Sequence, residues 1–201
     1  SDEKGQMVDG DSILAMIATL WAKQGRLKEN TVVATIMSNG GLEHYLKEQN
    51  IRLLRTDVGD RYVIDAMRSH QLNVGGEKSG HIILRDYSTT GDGLVAMLQV
   101  LRLLVHSGKK ASEIFHLFTP IPQVLRNYRF NRKDLLGDSK IQDMITQISQ
   151  DLGKTKGRLL VRASGTEPLI RVMAESVDGV LMEKCIEDVL GALEDADRRS
   201  L

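Results

Sequence analysis

The chain has 201 residues, 41% of them apolar, and its 27 basic and 27 acidic side chains cancel to a formal charge of zero. That is enough apolar material for one or two modest cores at roughly 100–200 residues per domain, and a neutral chain without a long basic run lacks the electrostatic footprint of a nucleic-acid binder. No apolar run reaches the roughly 18 residues of a membrane span and no secretory leader pattern is seen, so no membrane association and a cytoplasmic location are expected. The single cysteine, Cys185, rules out an internal disulfide or a cysteine-based metal site.

Ile13, Leu14, Ile17, Leu20 and Trp21 recur at helical spacing, with Asp11 or Ser12 as the N-cap and Gly25 as the stop. Residues 31–36 are β-branched and apolar and predict a strand buried on both faces, and residues 51–54 predict another of the same kind. Between them Leu42, Tyr45 and Leu46 mark a short helix. Tyr62, Val63, Ala66 and Met67 form a further helical stripe, residues 82–84 a strand, and Leu94, Val95, Leu98, Leu101 and Val105 a long helix for which Asp92 is the N-cap. Strands alternating with helices make an α/β layer pattern.

Pro120 and Pro122 are poor in a helix and favour an extended connection. After it come a strand near residues 124–130, a helix near 138–150, two strands around the loop at 162–168, and a last helix. On that helix Met182, Ile186, Val189, Leu190 and Leu193 share one face, while Glu183, Lys184, Glu187 and Asp188 face water. The expected fold class is therefore α/β: an α/β/α layered domain over residues 1–118, a linker over 119–127 and a small α+β domain over 128–201.

Two segments carry chemistry. The apolar run 159–161 leads into Arg162-Ala163-Ser164-Gly165-Thr166-Glu167-Pro168. A guanidinium can bond a phosphate bidentately, Ser164 and Thr166 can donate, and Gly165 lets backbone N–H groups approach an anion. Arg171, nine residues past Arg162 on the next strand, can reach the same anion. The second segment, Gly75-Gly76-Glu77-Lys78-Ser79-Gly80-His81, puts a carboxylate, a hydroxyl and an imidazole on a glycine-rich loop suited to sugar hydroxyls. Each has an ordinary reading: Arg162 in a surface ion pair, Glu77 and Ser79 in a turn, His81 as a structural residue of an apolar strand, Asp60 and Arg61 as charges at a helix start. His44, His70, His106 and His116 share no metal-ligand spacing, and Cys185 reads as an inert core thiol.

Gly76 to His81 has the form G-E-x-S-G-H, and Arg162 to Pro168 the form R-x-S-G-T-E-P; on these the chain resembles the α-D-phosphohexomutase family. Val58-Gly59-Asp60-Arg61-Tyr62-Val63 and Thr89-Thr90-Gly91-Asp92-Gly93 resemble landmarks of its bacterial phosphoglucosamine branch. The resemblance implies the third and fourth domains of such an enzyme, with sugar contacts at Glu77, Ser79, His81, Asp60 and Arg61, and phosphate contacts at Arg162, Ser164, Gly165, Thr166 and Arg171. It implies a hexosamine phosphate substrate, a phosphoserine, a glucosamine 1,6-bisphosphate intermediate and Mg²⁺ in a full-length parent, and it leaves a homodimer of that parent open. The family's catalytic-serine and D-G-D-x-D-R metal loops are missing here; Asp9-Gly10-Asp11 is followed by Ser12-Ile13 instead. The chain is therefore expected to be inactive without an N-terminal catalytic half. A phosphomannomutase/phosphoglucomutase and a stand-alone sugar-phosphate binding module remain alternatives.

Overall fold

The run predicted as a doubly buried strand is the hub of the first sheet in a computed structural model of the chain, which describes residues 1–130, 135–165 and 167–198. The chain divides into two units after Pro120. In the first, β1 (Thr31–Thr35) is buried at every residue and pairs in parallel with β2 (Arg52–Thr56) and with β3 (Val74–Gly76). β4 (Ile82–Leu84) adds antiparallel to β3, giving the order β2-β1-β3-β4.

Parallel neighbours need crossover connections, and here these are α2 (Gly40–Glu48) and α3 (Asp60–Ser69). Val32 and Ala34 face a cluster with Leu14, Trp21, Leu42 and Leu46 from α1 (Gly10–Lys23) and α2, to which α4 (Gly93–Ser107) and α5 (Ala111–Phe115) contribute Ala96, Ile114 and Phe115. Val33, pointing the other way, meets Val63 and Met67 of α3. The period of two along β1 thus separates two cores, and the unit is an α/β/α sandwich. β2 departs from the expectation of burial on both faces: it is the edge strand, exposed at Arg52 and half-buried beyond it.

Helix ends follow local chemistry, with one correction. Asp92 caps α4 by accepting the Leu94 and Val95 N–H groups at 2.9 and 3.0 Å, as expected. The cap of α1 is Asp9, which accepts the Ser12 N–H at 3.0 Å, and neither Asp11 nor Ser12 serves. Asp11 is instead fully buried and accepts the backbone N–H of Asn39 at 2.8 Å, while the Asn39 side chain caps α2. Arg55 braces the same turn by donating to the Ser38 carbonyl at 2.9 Å and to Glu43.

The second unit is a three-stranded antiparallel sheet, β5 (Gln123–Arg129), β6 (Arg158–Ala163) and β7 (Leu169–Glu175), ordered β5-β7-β6. The residues expected to link the domains overlap β5, which begins at Gln123. α6 (Ser139–Lys154), capped by Asp138, and α7 (Gly179–Arg198) pack on the sheet through one core that includes Ile148, Leu152, Ile186 and Leu193. Cys185 is in that core, where burial pushes its thiol up, as an inert thiol requires.

Asp11 allows a test of the α1–α2 junction. Burial pushes its carboxyl above the ordinary 3.8, against the Asn39 N–H, which favours the charged form. The native state therefore holds the Asp11 proton more tightly than the unfolded chain, so this group's contribution to stability falls as pH rises from the ordinary carboxylate value through the elevated one. Denaturant unfolding across that range is expected to show the fall in the parent and not in Asp11→Asn, whose amide oxygen still accepts from Asn39. Asp11→Ala, which strands that N–H, should lose about 1–3 kcal/mol.

Candidate functional site

In open α/β sheets ligands bind at the carboxyl ends of the parallel strands, where the strand order reverses. The loops after β2 and β3 flank that point, on either side of β1. The loop after β3 is a tight turn: the Gly80 N–H donates to the Glu77 carbonyl at 2.9 Å, with Gly80 at φ +99°, and the Glu77 N–H donates to the His81 carbonyl at 3.0 Å. Gly75 and Gly76 are not part of it. They belong to β3, where a Cβ would meet Met67 Sδ at 2.6 Å and the His81 carbonyl oxygen at 2.6 Å, respectively.

Glu77 is tied across to the β2–α3 turn, its Oε1 accepting the Gly59 N–H at 3.1 Å. Gly59 sits at φ +131°, in the region that favours glycine. His81 Nε2 is 3.6 Å from Asp60 Oδ2 at the start of α3. Glu77, His81 and Asp60 are thus brought together, with Ser79 exposed on the same turn. Arg61 is different: its guanidinium is 3.9 Å from Asp65 on its own helix and lies over the Tyr62 ring. Asp60 also keeps the ordinary role of an acid in a first helical turn.

Three glycines that sequence reasoning did not single out build this constellation. The Gly10 N–H donates to the Lys78 carbonyl at 2.9 Å, and a Cβ on Gly10 would lie 2.0 Å from the Glu77 carbonyl oxygen. A Cβ on Gly91 would lie 2.2 Å from His81 Nε2. Gly59 supplies the N–H that holds Glu77. Their signal was present, since each stands inside one of the short acidic-glycine segments, but close approach between distant segments is invisible in a one-dimensional string.

In the second unit Arg162 and Arg171 are register partners on β6 and β7. Cβ atoms directly opposite on an antiparallel pair are about 4.5–5.5 Å apart, and like charges there destabilise unless negative charge lies between or beside them. Glu167 supplies part of it, at 3.8 Å from Arg171 Nη2. Arg171 Nε is buried without a hydrogen-bond partner among the described residues. Arg162 Nη1 donates to the Ala163 carbonyl at 3.4 Å. The loop closes through the Ser164 N–H, which donates to the Leu169 carbonyl at 2.8 Å. A Cβ on Gly165 would meet nothing within 4 Å, so the chain is open there. Thr166 lies outside the described residues.

Among the described residues no three His, Cys, Asp or Glu side chains are placed to hold a metal ion. The Asp9-Gly10-Asp11 carboxylates are committed, Asp9 to the α1 cap and Asp11 to Asn39, so this chain's residues do not fit Mg²⁺ there. A cavity of about 520 Å³ between α6 and α7 has four carboxylates, Asp138, Glu187, Asp188 and Asp195, against one cation, Lys140, a net charge that disfavours a phosphate.

Residues 9–121 match the family model for phosphoglucomutase/phosphomannomutase alpha/beta/alpha domain III, and residues 125–192 match that for the phosphoglucomutase/phosphomannomutase C-terminal domain. The chain is 56% identical over 188 residues to the phosphoglucosamine mutase of Zymomonas mobilis, covering 94% of this chain and 42% of that relative. It is 53% identical over 189 residues to the phosphoglucosamine mutase of Bartonella bacilliformis, with the same 94% and 42% coverage. The chain therefore spans less than half the length of these curated relatives. Among solved structures it is similar to Aspergillus fumigatus N-acetylphosphoglucosamine mutase in complex with GlcNAc-6P and magnesium, with a TM-score of 0.75, 22% identity, and coverage of 96% of this chain and 45% of that one. At that identity the likeness is one of fold.

The glycine contacts make a sharp contrast. Gly10→Ala should cost about 1–3 kcal/mol, because the new methyl group meets backbone that cannot move without opening the 77–81 turn. Gly93→Ala, where a Cβ meets nothing within 4 Å, should stabilise α4 by about 0.4–1 kcal/mol. Thermal or denaturant unfolding of the two variants reads the difference.

Proposed function

We infer function from one premise, that the chain belongs to the phosphoglucomutase/phosphomannomutase family. We propose that it is the sugar-holding and phosphate-holding half of a phosphoglucosamine mutase, an isomerase interconverting glucosamine 6-phosphate and glucosamine 1-phosphate. The observation that carries this reading is the Arg162–Arg171 cross-strand pair, two cations held together at a loop mouth where an anion relieves their repulsion. In the whole enzyme a phosphoryl group passes between a serine outside this chain and either end of the sugar, through glucosamine 1,6-bisphosphate. Such a transfer needs positioning and charge compensation more than covalent chemistry from the holding residues. Arg162, Arg171 and the hydroxyls of Ser164 and Thr166 grip the phosphate that is not being transferred, beside the open backbone at Gly165.

Glu77, fixed by the Gly59 N–H, and Ser79 take sugar hydroxyls, with His81 and Asp60 beside them and Arg61 at the rim. One turn can serve both half-reactions because the two hydroxyls it holds occupy similar places when the sugar is reversed. On this reading Mg²⁺ and its ligands belong to the upstream part of the enzyme, and the chain is a cytoplasmic protein of amino-sugar metabolism.

Binding of inorganic phosphate and of glucosamine 6-phosphate, measured by ³¹P NMR titration, tests the assignments. Arg162→Lys keeps the charge but loses the planar fork. A charge-assisted hydrogen bond is worth roughly 1.5–3 kcal/mol, so both ligands should weaken about ten- to a hundredfold. Glu77→Gln should weaken glucosamine 6-phosphate alone. If Arg162→Lys binds both ligands as the parent does, the phosphate assignment is wrong. A coupled assay on the purified chain by itself is expected to show no glucosamine 1-phosphate formation.

A further inference from the structure

α4 is apolar over most of its circumference, with Gln99, Arg102 and His106 sharing one narrow polar strip. Its inner side, through Val95, Ala96, Val100, Leu103 and Leu104, packs on the first unit's core. Its outer side shows Leu94, Met97, Leu98, Leu101 and Val105 to solvent, with Leu94 70% and Val105 78% exposed. At about 100° per residue these five fall within an arc of roughly 100°, one unbroken stripe. Arg102 is the one Asp, Glu, Lys or Arg in the helix sequence. Single exposed apolar residues are ordinary, but a contiguous exposed apolar stripe of five residues marks a surface that is covered in the working assembly.

What covers it is indicated by where the chain's first residues run. Asp2 Oδ2 is 2.9 Å from His116 Nε2, and Glu3 accepts the Ser112 N–H at 3.0 Å, so the segment before α1 is clamped to α5. α5 begins at Ala111, directly after the turn at Gly108 that ends α4. In the curated relatives more than half of the polypeptide lies outside the matched region, and this chain matches their family's domain III and C-terminal domain. The part that precedes domain III in those relatives therefore joins beside the carboxyl end of α4.

We propose that the stripe from Leu94 to Val105 is the docking face for the upstream half of the mutase chain, which buries it with an apolar surface of its own. The inference rests on family membership and not on the ligand assignments, so loss of phosphate or sugar binding in the Arg162 and Glu77 variants leaves it standing.

Thiol labelling decides it. Leu98→Cys and Val105→Cys are each made in this chain alone and in this chain joined at Ser1 to the upstream part of the Zymomonas mobilis relative. A maleimide should modify both positions rapidly in the lone chain and at least tenfold more slowly in the joined one. Val177→Cys, exposed in the other unit, should react equally fast in both. Protection already present in the lone chain means that a second copy or the chain's own second unit covers the stripe, and overturns the proposal; equal labelling in lone and joined chains overturns it too. As a separate measurement, the upstream half is produced together with the tagged chain as two polypeptides. The tagged chain should retain it, and Leu98→Asp with Leu101→Asp should release it without changing the lone chain's thermal melt. Failure of the unsubstituted chain to retain it, or retention by the doubly substituted one, overturns the proposal as well.

Discussion

β1 cannot reach water. Its backbone is paired on both edges and its side chains are covered on both faces, Val32 and Ala34 by one helical layer and Val33 by another. A strand in that position demands parallel partners and helical crossovers. The crossovers bring the loops after β2 and β3 to one edge of the sheet. The Glu77–Gly59 hydrogen bond and the His81–Asp60 approach follow from that constraint. So does the buried Asp11, which reaches Asn39 because α1 and α2 cover the same face of β1.

The two units place their polar groups by different physics. In the first, a carboxylate, a hydroxyl and an imidazole are set on a turn that Gly10, Gly59 and Gly91 allow other segments to approach closely. Rigidity there comes from the backbone: the Gly10 N–H, the Gly59 N–H and the turn's own hydrogen bonds hold the turn and the Glu77 carboxylate in place. In the second, antiparallel pairing puts Arg162 and Arg171 opposite each other on neighbouring strands, with Glu167 3.8 Å from Arg171.

Much of this was legible in the one-dimensional string, and the physical reasons are particular. The strand at residues 31–36 announced itself because β-branched apolar runs bury on both faces. Asp92 did so because a carboxylate before an apolar helix has two free N–H groups within reach, and α7 because its apolar residues return every three or four positions. The segments at residues 75–81 and 162–168 stood out because they gather polar and charged side chains at short spacing around glycines, which a sequence displays directly. The β2 edge position was not, since strand order depends on which neighbours pair. Nor was the choice of Asp9 over Asp11 as the α1 cap, because either carboxylate satisfies the local chemistry.

By itself the sequence determined the α/β pattern, the caps that local geometry decides, the helical stripes, and the motifs that carry the family resemblance. Only the tertiary structure decided that Arg171 stands opposite Arg162, that Glu77 is fastened to Gly59, that Asp11 is a buried strut between two helices, and that α4 keeps an apolar face in solvent. The physical reason is the same in each case. Local periodicity and side-chain chemistry act over a few residues and can be read along the chain. Register, strand order and the coverage of a surface are set by which distant segments pack together, and that is a property of the folded chain.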